Sequence, residues 1–111
     1  CDYSYANHWK NAAHLIADPW RASKIEAALA TKCPEVAFEG AALALLRYAE
    51  KLTTTPGHME ESDVIALREE GLDDGQILEA NQIICYFNYV NRSLNGLGVT
   101  TKGDIVGFYA D

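Results

Sequence analysis

DVIALREEGLDDGQILEANQIICYFNYVNRSLNGLGV, residues 63–99, decides the fold. Gly71 divides it. The residues before Gly71, from about 61 to 70, predict a short helix that stops at a glycine able to take the left-handed C-terminal conformation. Asp73, followed three residues later by Gln76, reads as a capping box opening a second helix. From there to about residue 97, Ile77, Ile83, Ile84, Phe87, Val90, Leu94 and Leu97 recur at helical spacing, and Gly98 closes the run. No alternating apolar pattern of period two competes with this reading.

The same logic extends toward the start of the chain. TTTPGHME (residues 53–60) is a loop by its Thr, Pro and Gly content. Residues 40–52 form a third helix with Leu45, Leu46, Tyr48, Ala49 and Leu52 on its buried side. CPEVAFEG (33–40) is a connector. Asp18-Pro19 ends one helix and begins the next, because Asp is a good N-cap and Pro suits the first helical position. The helix it begins runs to about residue 32, with Ile25, Ala28 and Leu29 inward. The helix it ends covers residues 1–17, with Ala12, Ala13, Leu15 and Ile16 near one face. The tail TTKGDIVGFYAD (100–111) has no clear period and is expected to be irregular. Five helices without repeats, linkers or a convincing strand predict an all-α bundle in a single domain over 1–111.

Composition narrows the function. Sixteen acidic residues against nine basic ones give a net charge of −7, which repels phosphate backbones and excludes nucleic acid as a partner. The most apolar run, EGAALALLRYAEKL, is too short to span a bilayer and is bounded by charge, so no membrane partner is expected. Three widely spaced cysteines, Cys1, Cys33 and Cys85, make a poor disulfide framework and fit a reducing, cytoplasmic setting.

Chemistry concentrates at the start, in CDYSYANHWKNAAHLI (1–16). Steps of three and four residues put Cys1, Ser4 and His8 on one helical face. Cys1 near the first turn would sit where free N–H groups and the helix dipole favour a thiolate. His8 could shuttle a proton beside it. The spacing suits thiol redox or nucleophilic chemistry, although one Cys and one His share a helical face often by chance. A metal is not expected, because Cys1 and His8 supply two of the four ligands a structural zinc takes, while His14 faces elsewhere and His58 lies in a loop. There is no phosphate-cradling glycine loop and no nucleophile elbow, so no cofactor is expected. The run of Asn88, Asn91 and Asn95 with Arg92 has two readings. These residues pair with backbone and a neighbouring Glu at helix contacts, or Asn88 or Asn91 lines the thiol pocket.

YAEKLTTTP, DVIALREEGLDDGQIL and FNYVNRSLNGLGV, in that order and spacing, closely resemble the peroxidase-related branch of the alkylhydroperoxidase D / carboxymuconolactone decarboxylase superfamily. The resemblance covers nearly the whole chain, the tail least. It implies an alkylhydroperoxidase D-like helical bundle, assembly as a homo-oligomer, and thiol-dependent reduction of small-molecule hydroperoxides at the expense of a thiol reductant. The family's C-x-x-C-x-x-x-H motif puts its first Cys on Cys1, its second on Ser4 and its His on His8. A further His of many members falls on Asn7. It also implies that the chain is the C-terminal portion of such a domain, since members carry upstream helices with a glutamate of the proton relay. Ser4 departs from the pattern, because a hydroxyl can neither attack a peroxide usefully nor condense with a sulfenic acid. A lyase of the carboxymuconolactone decarboxylase type, which works without the Cys pair, is the alternative within the superfamily. A catalytically inactive helical scaffold is the alternative outside it.

Overall fold

The computed structural model describes residues 1–109; the last two residues of the tail, 110 and 111, lie outside the described residues. Five α-helices follow one another: α1 (Asp2–Ile16), α2 (Pro19–Ala30), α3 (Gly40–Thr54), α4 (Glu61–Glu69) and α5 (Asp74–Gly96). Single 3-10 turns at Pro34–Val36 and Pro56–His58 fill the two connectors around α3. The described residues contain no strand, so the chain is all-α.

The punctuation residues act as their chemistry requires. Ala17 leaves α1 in the left-handed conformation at φ 54°. Asp18 then caps α2, its carboxylate accepting from the backbone N–H of Trp20 at 3.0 Å and of Arg21 at 3.1 Å. Asp73 and Gln76 exchange two hydrogen bonds at the start of α5, at 2.8 and 3.0 Å. Gly71 turns between α4 and α5 at φ 88°, where a side chain would be strained. The third helix runs two residues beyond its expected end, to Thr54, whose Oγ1 donates to the Glu50 carbonyl at 2.8 Å.

The core has two parts. Tyr48 of α3, Leu67 of α4 and Ile77 of α5 are buried together, with Leu45, Leu52, Val64 and Ile84 packed around them. Ala22, Ile25 and Ala28 give α2 a separate buried stripe that faces α1 and the 3-10 turn after α2. Two ion pairs brace the C-terminal unit. Lys51 Nζ meets both carboxylate oxygens of Asp63, at 2.9 and 2.7 Å, and Arg68 Nε meets Asp74 at 2.9 Å. Asp63 also accepts from the Glu60 backbone N–H at 2.8 Å, which closes the N-terminal turn of α4. These bonds hold the Asp63 carboxyl below its ordinary value of 3.8, with the Lys51 bond the largest cause.

The molecule is loosely closed. Its Cα radius of gyration is 15.3 Å, against ~13 Å for a compact domain of this length. Ile83 and Leu97, expected on the inner side of α5, are exposed. Helix α5 packs against α3 and α4 along one side, and Leu78, Tyr86 and Tyr89 on its opposite side are exposed.

Candidate functional site

Helix α1 carries the candidate residues. Cys1 is its N-cap, half-buried, and its carbonyl accepts from the Tyr5 N–H at 2.9 Å. Ser4 is 8% exposed and is the one buried polar residue among the described residues. His8 is exposed, and its ring meets the Phe87 ring edge-on, with centroids 4.9 Å apart and planes at 85°. The helix rise puts Ser4 about 4.5 Å along the axis from Cys1 and His8 about 6 Å further. The three therefore form one stripe on α1. Its far end touches α5, and its middle is closed to solvent.

Phe87 belongs to the asparagine-rich part of α5, where Phe87, Asn88 and Asn91 are half-buried and Asn95 is exposed. Asn88 Nδ2 donates to Thr53 Oγ1 of α3 at 2.9 Å and to the Ile84 carbonyl at 3.0 Å. Its own carbonyl and Oδ1 accept from Arg92 Nη1 at 3.2 and 3.0 Å. Asn88 is thus a tie between α5 and α3. Asn81 makes a second tie, donating to the Tyr48 hydroxyl at 3.2 Å; its place in the sequence gave no sign of this. Asn91 differs. Its Oδ1 is buried and has no hydrogen-bond partner, the only such side-chain atom found among the described residues. Asn91 lies one turn beyond Phe87, whose ring meets His8, on α5.

Asn7 serves the tail. Its Nδ2 donates to the Tyr3 carbonyl, and its Oδ1 accepts from the Gly107 N–H at 2.9 Å. One turn on, Asn11 Oδ1 accepts from the Phe108 N–H at 2.6 Å. One turn further, the His14 ring stacks on Tyr109, with centroids 4.5 Å apart. Residues 7, 11 and 14 form a ladder along α1 that holds residues 107–109 as a strap beside the Cys1–Ser4–His8 stripe. Nothing local in either segment signals this, since the paired residues are about a hundred positions apart.

A cleft of about 320 Å³ opens between α2 and α3, lined by Ala28, Leu29, Leu46 and Ala49 with Lys32 and Thr53 at polar positions. It reaches Asn88 through Thr53, but Cys1, Ser4 and His8 do not line it. Among the described residues, no three His, Cys, Asp or Glu side chains are grouped to hold a metal ion. Of the other thiols, Cys33 is half-buried with its Sγ 3.5 Å from the Thr31 carbonyl, and Cys85 is exposed on α5. No described helix is long and apolar enough to cross a membrane. No family model matches the chain, and neither does a curated protein or a solved structure.

Proposed function

We propose that the chain is an alkylhydroperoxidase D-like domain built for thiol-dependent reduction of hydroperoxides, with Ser4 standing where the partner thiol of the redox pair belongs. The observation that carries the reading is the α1 stripe: Cys1 at the helix start, a buried Ser4 one turn on, and His8 against Phe87 of α5. Phe87 lies inside FNYVNRSLNGLGV, a segment on which the sequence resemblance rests. The stripe and that segment therefore meet at one place.

The chemistry follows from the residues. A Cys1 thiolate attacks the outer oxygen of ROOH, the O–O bond breaks, and Cys1 becomes a sulfenic acid. His8 hands a proton to the departing alkoxide, which leaves as ROH. A neighbouring thiol would then condense with the sulfenic acid, forming a disulfide and releasing water. Ser4 cannot do this, so an external small-molecule or protein thiol must resolve Cys1, and a reducing compartment would supply it. Ser4 is also the observation that favours a second reading, a helical scaffold without turnover. The test is hydroperoxide consumption with a thiol reductant by the chain and by Ser4→Cys. Catalytic turnover gained with the substitution supports the peroxidase reading. A disulfide that forms without peroxide loss supports the scaffold.

A further inference from the structure

The cleft between α2 and α3 is built from residues that the α1 stripe does not use. Ala28 and Ala49 line it, and their short side chains leave the space that Leu29 and Leu46 wall in. Ala28 is 1% exposed and marks the deep end. The volume, about 320 Å³, lies at the small end of the range for ligand sites. It equals the liquid volume of about ten water molecules, which suits a ligand of on the order of ten non-hydrogen atoms.

The mouth of the cleft carries both signs of charge. Lys32 and Glu50 line it and are exposed. Neither the ammonium nor the carboxylate is paired among the described residues. Thr53 Oγ1 accepts from Asn88, which leaves its own hydrogen to donate. Lys32 also stands where the backbone favours glycine. At the end of α2 the Cys33 N–H donates to the Ala28 carbonyl at 2.9 Å and the Lys32 N–H to the Leu29 carbonyl at 3.2 Å. This pair of bonds sets the residue after the helix cap in the left-handed region. Lys32 accordingly has φ 56°, and Ala17 is the other non-glycine residue at positive φ among the described residues. Glycine would hold the turn without strain at Cβ and would leave the cleft without its cation.

We propose that the cleft binds a free apolar α-amino acid. The side chain lies against Leu29, Leu46 and the two alanines, the α-carboxylate meets Lys32 and the Thr53 hydroxyl, and the α-ammonium meets Glu50. Opposite charges that share one mouth without pairing match a zwitterion, which carries both in one head group. A fatty acid would bring its carboxylate beside Glu50 with no cation of its own, and an alkylamine would bring its ammonium beside Lys32. A peptide carries its terminal charges on different residues. Leucine, with about nine non-hydrogen atoms, suits the volume. The inference stands apart from the redox reading, because Cys1, Ser4 and His8 do not line the cleft and its test reads binding.

The test is an NMR titration of the isotope-labelled 111-residue chain. L-Leucine should shift the amides of Ala28, Leu29 and Ala49 saturably, with a Kd on the order of 0.1–1 mM. Isocaproate and isoamylamine, which keep its carbon skeleton but lack the ammonium or the carboxylate, should each bind at least about fivefold more weakly. L-Alanine, with the same head group and almost no apolar body, should bind more than about tenfold more weakly. Lys32→Gly should weaken leucine binding by at least about fivefold while Tm stays equal or rises, because the backbone there suits glycine. Glu50→Gln should weaken it similarly with Tm unchanged. No saturable shift by L-leucine up to its solubility limit, equal affinity for leucine and either analogue, shifts confined to residues away from the cleft, or binding indifferent to Lys32→Gly or Glu50→Gln would each overturn the proposal.

Discussion

Replacing Asn91 by leucine should make the protein more stable. Large polar-to-apolar changes inside a fold usually cost stability, so the sign is diagnostic. Asn91 Oδ1 is buried and unpartnered, and an unsatisfied buried acceptor carries a desolvation penalty of about 1–3 kcal/mol. Leucine has a similar size and shape, so it removes that penalty and adds apolar contact. Asn91 is only half-buried as a residue, which keeps the expected gain toward the lower end, about 1–2 kcal/mol. For a domain of this size that raises Tm by about 4–8 °C. Thermal melts and urea titrations of the Asn91→Leu chain at neutral pH measure it, with Asn88→Leu as the contrast. Asn88 is fully bonded to Thr53, Ile84 and Arg92, so the same substitution there should destabilise. A loss of stability in Asn91→Leu would refute the reasoning, since it would mean the oxygen has a partner. If Asn91 also serves the proposed peroxide site, the stabilised variant should lose turnover in the Ser4→Cys background.

Two further outcomes are expected. The Asp63 carboxyl is held below its ordinary value by Lys51 and the Glu60 N–H, so its contribution is fully present above the unfolded value near pH 4 and disappears as pH falls through the lower folded value. Asp63→Asn should therefore lower stability at pH 7 and flatten the acid limb of the stability curve below about pH 4; an unchanged acid limb would refute the assignment. Gly107→Ala should release the strap from α1, because Gly107 has φ 86° and a Cβ there would lie 2.9 Å from Lys10 Cδ and 3.2 Å from Lys10 Cβ, the latter fixed by the helix. Hydrogen exchange at the amides of residues 107 and 108 should rise about tenfold or more, with the core amides of α3 and α5 unaffected; unchanged protection at both would refute it.

Helix boundaries were the legible part of the sequence, because caps and stops are local. Asp18-Pro19, Asp73 with Gln76, and Gly71 each act within four residues of themselves, and each does in the structure what its chemistry predicts. The start of α4 was also placed correctly at Glu61, although its turn is closed by Asp63 bonding back to the Glu60 backbone and not by a usual capping residue at position 60. The covered side of α5 was largely legible, since Ile77 is buried and Ile84, Phe87, Val90 and Leu94 are half-buried, but periodicity does not say how far a neighbour reaches, and Ile83 and Leu97 remain outside. At the candidate site, the spacing of Cys1, Ser4 and His8 was visible from the residues alone. The Phe87 ring against His8, the unsatisfied Asn91 oxygen and the strap on Asn7 were not, because each joins elements far apart in the chain.

The central claim is that the α1 stripe is a peroxide site short of one thiol. Its most direct measurement is the number of hydroperoxide molecules consumed per chain, in the presence of excess thiol reductant, by the chain and by Ser4→Cys. The account predicts many turnovers for Ser4→Cys, together with a reversible disulfide between Cys1 and the introduced thiol, and a far slower loss limited by external resolution of Cys1 for the chain itself. Equal consumption by the two proteins would contradict it, as would a Ser4→Cys chain that forms the disulfide and leaves the peroxide intact.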